Sequence, residues 1–353
     1  MLNLLDMLQY TLKVAEIRQE TQDTVTVVFK QPALKKIKYH SGQYLTLIFR
    51  INNRRYIRPY SFSSAPGIDN TLNITVKRVP GGVVSNHIAD CLKVGDIVEV
   101  MEPMGDFTLE NKGINGNSRL ILWGAGSGIT PLLSLAKFAL HHQFARHLTL
   151  VYGNRGHESA IFSGQINELQ KQYAEYFSVW HFHTKAIVDA AYPYLIQGRI
   201  NPQTVLSVLK KEGDLGNTVH YICGPAGLKE SVKKVLEEEG IGPKQIFSEE
   251  FKRVANPKDF ENVITRTVSL IKGGKEHAIE VIKGKSILEA GLDAMIDLSY
   301  SCQTGNCTVC KGKLLSGQLK SIRSQETMPS LNKDEYLLCC SYPVTENIQI
   351  IVD

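Results

Sequence analysis

The sequence predicts three successive domains of different class: an antiparallel β-barrel, a parallel α/β sheet, and a small β-rich domain with one short helix. Three observations carry this. Short β-rich runs broken by turn clusters fill Tyr10 to about Val100, strands and helical runs then alternate to about Glu250, and five of the seven cysteines lie at or beyond Cys302, behind a hairpin and a helix-capping signal. A length of 353 residues suits two or three domains. An apolar fraction of 43%, with neither Gly nor Pro periodic, excludes collagen-like, coiled-coil and disordered chains.

In the first domain, Thr24 to Lys30, Tyr44 to Ile51 and Leu72 to Val79 read as strands separated by turns, the rhythm of a small barrel. A Gly/Asn-rich linker, Asn111 to Asn117, changes that rhythm. Arg119 to Trp123, His147 to Tyr152, Phe177 to Phe182 and Val219 to Cys223 are the next strands; the runs after the first, second and fourth read as helical, which predicts a parallel sheet. A second break falls at Asn256-Pro257-Lys258-Asp259. Thr267 to Ile271 and His277 to Ile282 then flank Gly273-Gly274 as a hairpin, and Ser286-Ile287-Leu288-Glu289 is a capping box that opens a short helix. The domains expected are residues 9–112, 113–253 and 260–353.

No apolar run approaches the roughly 18 residues that span a bilayer, and the start, with an Asp and no positive region, is not a signal peptide, so a cytoplasmic protein is expected. Clustered cysteines in a reducing cytosol hold metal or do redox chemistry more often than they form disulfides. The net charge of +5 is scattered, which argues against nucleic-acid binding. Residues 257–353 carry 11 basic and 12 acidic residues, which leaves +6 on the rest of the chain, a mild preference for anionic ligands there.

Cys302, Cys307 and Cys310 have the spacing C-x4-C-x2-C, and Cys340 follows after 29 residues. Three thiolates on one tight loop can wrap a compact cluster, Gly305 permits close backbone approach, and the distant fourth closes it. A structural zinc site, the competing reading, would more naturally show two C-x2-C knuckles. With its hairpin, Ile287 to Leu292, Ser299-Tyr300-Ser301-Cys302 and Leu338 to Pro343, the segment from about Val263 resembles plant-type 2Fe-2S ferredoxins, which implies a β-grasp fold. That spacing selects Cys340 as fourth ligand; Cys339 points the other way if the stretch is extended.

In an extended segment Arg58 and Tyr60 of Arg58-Pro59-Tyr60-Ser61 share one face, so a guanidinium can hold a phosphate while a phenol ring covers an aromatic system. The competing reading is a surface strand. Downstream, Val76 to Asn86 reads as a strand, a Gly-Gly turn and a helix start, where the amides of Val83, Val84 and Ser85 would bind a phosphate or pyrophosphate, with Ser85 also serving as an N-cap. Gly124-Ala125-Gly126-Ser127-Gly128-Ile129-Thr130-Pro131 follows a strand and opens a helix, a loop that lets a dinucleotide approach the backbone. Cys223-Gly224-Pro225 ends a strand, where ligands of such sheets bind, although a buried small Cys is the plain alternative. Together these resemble the R-x-Y-S, G-x-G-x-x-P and C-G-P motifs of the ferredoxin-NADP reductase superfamily. Ser248-Glu249-Glu250-Phe251 resembles its E-x-F ending, which implies Glu249 and Phe251 near the flavin; a helix-to-strand connection with exposed charges is the competing reading. After the strand ending at Gly153 come Asn154 and Arg155, with no acid before Glu158; an Arg there suits a 2'-phosphate, so NADPH is preferred over NADH, with Arg155 as its ligand and a solvated loop arginine as the competing reading. Arg199 is a further family-typical position without an assigned partner.

The resemblance covers nearly the whole chain after its first ten residues and implies a reductase component of a multicomponent oxygenase, in the group that includes the reductase subunit of phenylacetyl-CoA epoxidase. It implies FAD, although the phthalate dioxygenase reductase type uses FMN. Hydride would pass from NADPH near Cys223 and Thr130 to the flavin beside Ser61, then single electrons through the 2Fe-2S cluster to an acceptor such as a di-iron oxygenase. Other hydroxylases, desaturases or Rieske oxygenases are alternative acceptors, and a non-turnover redox sensor is the alternative function. No histidine pair is expected to bind metal: His141-His142 reads as a solvated helix end, His181 and His183 as sheet residues. Cys91 has no assigned role.

Overall fold

Six strands, β1 (Gln9–Thr21), β2 (Thr24–Lys30), β3 (Tyr44–Ile51), β4 (Arg54–Ser61), β5 (Thr71–Lys77) and β6 (Ile97–Met101), form one sheet in the order β4-β3-β6-β1-β2-β5, with β1–β2 and β2–β5 antiparallel. The computed structural model describes residues 9–33, 36–110, 112–185, 195–213, 215–251, 257–323 and 329–352; Asn111 of the expected linker and Asn256 of the second break lie outside them. By compactness the described residues form two units, one of residues 10–45 and 60–250, the other of residues 46–59 and 251–352 with Gln9.

In the first unit, β5 ends two residues before the expected Val79, because the Gly82 amide turns back onto the Val79 carbonyl at 2.8 Å and starts α1 (Val83–Asp90). Six parallel strands follow: β7 (Arg119–Ala125), β8 (His147–Asn154), β9 (Phe177–His183), β10 (Leu195–Gln197), β11 (Thr218–Cys223) and β12 (Ile246–Glu249), ordered β10-β9-β8-β7-β11-β12. Successive residues of β7 point to opposite faces. Leu120 and Leu122 therefore pack with Leu132 and Leu135 of α2 (Ile129–His141), while Ile121 and Trp123 pack on the other face with Val208 of α4 (Pro202–Glu212) and Val232 of α5 (Ala226–Glu238). Burial on both faces is why β7 reads as an unbroken apolar run. Helix α3 (Ser163–Gln172) precedes β9.

The sequence reading has no helix where α4 lies. Its signal is present: Asn201 and Thr204 exchange hydrogen bonds at 2.8 and 3.0 Å, and Pro202 occupies the first turn. Only a narrow stripe, Val205, Val208 and Leu209, is buried and apolar, so the run looks polar. His141 and His142 are exposed at the end of α2, and His181 and His183 lie in β9, as expected.

The second unit carries the hairpin β13 (Arg266–Lys272) and β14 (Lys275–Val281), then α6 (Ile287–Asp293), β15 (Lys311–Ser316), β16 (Leu319–Ser321), β17 (Glu335–Leu337), β18 (Ser341–Pro343) and β19 (Ile348–Val352). The main sheet runs β14-β13-β19-β15-β17, with β13 and β19 parallel. Ser286 caps α6 reciprocally: its Oγ accepts from the Glu289 amide at 3.2 Å and its own amide donates to Glu289 at 2.7 Å. No helix among the described residues is long and apolar enough to cross a membrane.

Candidate functional site

The carboxyl edge of the parallel sheet brings together motifs far apart in sequence. Gly124 of β7 lies opposite Cys223 of β11, and Cys223 lies opposite Glu249 of β12. A Cβ on Gly128 would overlap the Cys223 carbonyl and stand 2.8 Å from the Gly224 nitrogen, and one on Gly224 would stand 3.2 Å from the Ala125 nitrogen. At Gly128 a side chain would collide with the facing backbone, and at Gly224 it would be tight, so glycines let the two loops touch. Gly126 has φ +54° with open space where a Cβ would be, a bare backbone surface a ligand can approach. The Thr130 hydroxyl donates to the Ser127 carbonyl at 2.9 Å, which ties the loop to the start of α2, and Pro225 leads into α5.

Ser61, at the end of β4, is buried and points its hydroxyl at the Glu249 carboxylate, 3.5 Å away. Burial, and after it the Glu249 charge, push the Cys223 thiol well up, so it is a neutral thiol at physiological pH. Glu249 thus links Ser61 and Cys223 in one small polar group.

On β4, Ile57 and Ser61 are buried while Arg58 and Tyr60 are half-buried on the alternate face. The Arg58 guanidinium donates to the Ile57 carbonyl at 2.8 Å and lies 6.0 Å from the Tyr56 ring. No side chain caps α1, so its first-turn amides, Val83, Val84 and Ser85, remain available to an anion. The expected N-cap role of Ser85 is corrected: the cap is Gly82, and the Ser85 Oγ accepts from the Val79 amide at 3.1 Å, because it sits inside the first turn, where it faces back onto the preceding turn. These features fit a flavin carrying a phosphate or pyrophosphate. Arg155 is exposed just past β8, Arg199 is exposed after β10, and Phe251 is 47% exposed after β12.

In the second unit the Cys302–Cys310 loop has left-handed backbone at Gln303 and Gly305 (φ 58° and 88°). A Cβ on Gly305 would stand 2.8 Å from the Cys340 Sγ, so the glycine lets the distant cysteine reach the loop. The Cys307 thiol, then the amides of Thr304 and Cys307 against burial, hold Cys302 down to about 5, while the same contact and burial push Cys307 up. Among the described residues no three His, Cys, Asp or Glu side chains converge on a single ion. Thiols set around a two-iron cluster, two to each iron, need no such point. Four thiols at this spacing, with Gly305 letting Cys340 reach the loop, fit such a cluster.

Cys339 differs from expectation. Leu338–Cys340 is a turn of 3-10 helix rather than extended chain, so the two neighbours do not point to opposite faces, and their sulfurs lie 3.6 Å apart. Cys339 also hydrogen-bonds Cys310, which with burial pushes its thiol up. Five thiols, not four, surround this loop. The sequence reading did not single out Thr46 and gave Tyr300 and Ser301 no contacts: the Thr46 and Ser301 hydroxyls meet at 2.8 Å, and the Tyr300 hydroxyl accepts from the Ile57 amide at 3.1 Å. No local pattern marks contacts between residues some 240 positions apart.

Three family matches follow the same order: the oxidoreductase FAD-binding domain over residues 11–109, the oxidoreductase NAD-binding domain over 122–234, and the 2Fe-2S iron-sulfur cluster binding domain over 270–344. The chain is 30% identical to one of the subunits of the 1,2-phenylacetyl-CoA epoxidase of Escherichia coli, covering 98% of each. It is 28% identical to the ferredoxin reductase component of 3-ketosteroid-9-alpha-monooxygenase of Rhodococcus rhodochrous, covering 96% of this chain and 95% of that protein. The solved structure of phthalate dioxygenase reductase shares the fold, with TM-score 0.66 at 21% identity over 99% of this chain and 100% of that one.

Proposed function

We propose that this chain, which belongs to the ferredoxin reductase-type oxidoreductases that serve oxygenase systems through FAD-binding, NAD-binding and 2Fe-2S domains, takes electrons specifically from NADPH and delivers them to an oxygenase such as a phenylacetyl-CoA epoxidase. The observation that carries the catalytic part is the meeting of Ser61, from the strand of Arg58 and Tyr60, with Glu249 and Cys223 at the sheet's carboxyl edge. The assignment to an epoxidase acceptor rests on the full-length similarity to the Escherichia coli protein. The proposed division of labour is residues 9–112 for FAD, 113–253 for the nicotinamide nucleotide and 260–353 for the cluster, in the cytoplasm.

When bound, the nicotinamide supplies a hydride, the flavin converts that electron pair into single electrons, and the cluster carries them one at a time. Arg58 would neutralise the flavin's phosphate, Tyr60 would cover its ring, and the amides of Val83 to Ser85 would hold its anionic end. Ser61 donates a hydrogen bond toward the reacting edge and shares it with Glu249. The neutral, buried Cys223 would present a compact, uncharged surface to the nicotinamide nucleotide, which the loop of Gly124, Gly126, Gly128 and Thr130 would hold together with Gly224 and Pro225. Phe251 shields the flavin, and Arg155 pairs with the 2'-phosphate. Cys302, Cys307, Cys310 and Cys340 hold the cluster.

Anaerobic mixing with NADPH tests the scheme: flavin absorbance should bleach first, then cluster absorbance, and cytochrome c should be reduced in steady state. Absence of turnover would instead make the protein a sensor. Arg155→Ala should weaken NADPH by about 1–3 kcal/mol and leave NADH nearly unchanged; equal losses would remove the 2'-phosphate assignment.

A further inference from the structure

The cluster loop does not stand free of the flavin-motif strand. Tyr300 and Ser301 immediately precede Cys302, and Ile57 immediately precedes Arg58. The buried Ser301 hydroxyl meets the buried Thr46 hydroxyl at 2.8 Å, and the Tyr300 hydroxyl accepts from the Ile57 amide at 3.1 Å. β4 is the last strand of its sheet, so an edge amide that would otherwise seek another strand is satisfied by a phenol. Around this buried seat lies a charged rim. Arg54 reaches Asp293 at 3.1 Å and the Leu292 carbonyl at 3.4 Å, at the end of α6, where a cation is favoured. Arg55 reaches Asp297 at 3.0 Å.

We propose that the β3–β4 hairpin is the dock for the cluster loop, and that Thr46, Arg54, Arg55, Tyr300 and Ser301 are positioning residues for the electron step between flavin and cluster. This rests on the function proposed above. In that step one electron leaves the flavin and one enters the cluster; a second transfer completes the pair delivered as hydride, and the proton goes to solvent. Ile57 adjoins Arg58 and Ser301 adjoins Cys302, so displacing the dock displaces residues next to both motifs. The buried hydroxyl contacts set the geometry. The rim pairs are partly solvated (Arg55 is 24% and Asp297 72% exposed), so they weaken with salt. The internal electron step is therefore sensitive to ionic strength.

The test uses the full chain, with Tyr300→Phe, the double variant Arg54→Ser/Arg55→Ser, and the charge swap Arg55→Asp/Asp297→Arg. Hydrogen exchange of the peptide spanning residues 54–60, read without any turnover, should speed up about tenfold in Tyr300→Phe. In rapid mixing with NADPH, flavin reduction should keep its rate in every variant. Cluster reduction should slow at least about fivefold in Tyr300→Phe; it should slow about two- to fivefold in the double variant and lose its salt dependence there, and the charge swap should recover it. Unchanged exchange, or faster exchange with cluster reduction unaltered, overturns the dock. If Tyr300→Phe does not fold, the rim variants decide by the same criteria. If the unsubstituted protein shows no NADPH-driven flavin and cluster reduction, the proposed function fails instead, a result the variants do not mimic.

Discussion

Gly128→Ala puts the contact between the two nucleotide loops to a severe test. Gly128 has φ −64° and ψ −12°, which alanine adopts freely, so backbone strain plays no part. The added methyl would overlap the Cys223 carbonyl and stand 2.8 Å from the Gly224 nitrogen, against the 3.4 Å of ordinary contact, so the loops must part by at least 0.6 Å. Overpacking of this kind costs about 1–3 kcal/mol, and the reduced freedom of the unfolded chain returns about 0.4–1 kcal/mol; because the overlap is with backbone, the cost lies toward the upper end, about 2–3 kcal/mol, for a net loss of about 1–2.6 kcal/mol. At about 2–4 °C per kcal/mol, the unfolding midpoint should fall by about 2–10 °C. Catalysis should suffer more than stability. A misplacement of about 1 Å between reacting groups costs on the order of 100-fold, so the parting forced here should slow flavin reduction by NADPH about tenfold or more, with the cluster spectrum intact. The control is Gly227→Ala in α5, where a Cβ meets nothing within 4 Å and the helix should gain slightly. Stopped-flow flavin reduction and thermal unfolding read both variants. A Gly128→Ala protein with wild-type hydride transfer and midpoint would refute the claim that close packing of these loops builds the site.

Two further outcomes are expected. Cys340→Ser should leave an altered cluster spectrum, because the Cys339 sulfur lies 3.6 Å from that of Cys340 and can substitute, whereas Cys339→Ser should leave the native spectrum and the double variant none; a native spectrum in Cys340→Ser with loss in Cys339→Ser would exchange the two roles. Burial holds His181 down to about 4 and His220 to about 3, so both stay neutral when folded and bind protons only when unfolded; stability should fall as pH drops below about 6.5, by up to about 2 kcal/mol for each at pH 5. His220→Gln should flatten the dependence of the urea midpoint between pH 7 and 5, and an unchanged slope would show that this histidine does not contribute.

Local chemistry was legible along the chain wherever one stretch of backbone carries it. Glycines at loop ends, the C-x4-C-x2-C spacing, the Ser286 capping box and the two-faced apolar runs of β7 and β11 impose their structure within a few residues, so domain class and the candidate nucleotide and cluster loops could be read directly. The stretch at Leu338–Cys340 shows the limit of that reading, since alternation of side chains holds only if the backbone is extended, and a single 3-10 turn brings Cys339 beside Cys340. Helix α4 shows another: its capping box is plain, but its buried stripe is too narrow to register against a polar background. What tertiary structure alone decided is which distant groups meet. Ser61, at the end of β4 in the antiparallel sheet, meets Glu249, which lies opposite Cys223 at the carboxyl edge of the parallel sheet, while the Ile57 amide of an edge strand is satisfied by Tyr300 and the Thr46 hydroxyl by Ser301. Such contacts are single hydrogen bonds between residues up to 255 positions apart. Their partners are selected by packing geometry, which no periodicity or spacing in the chain encodes.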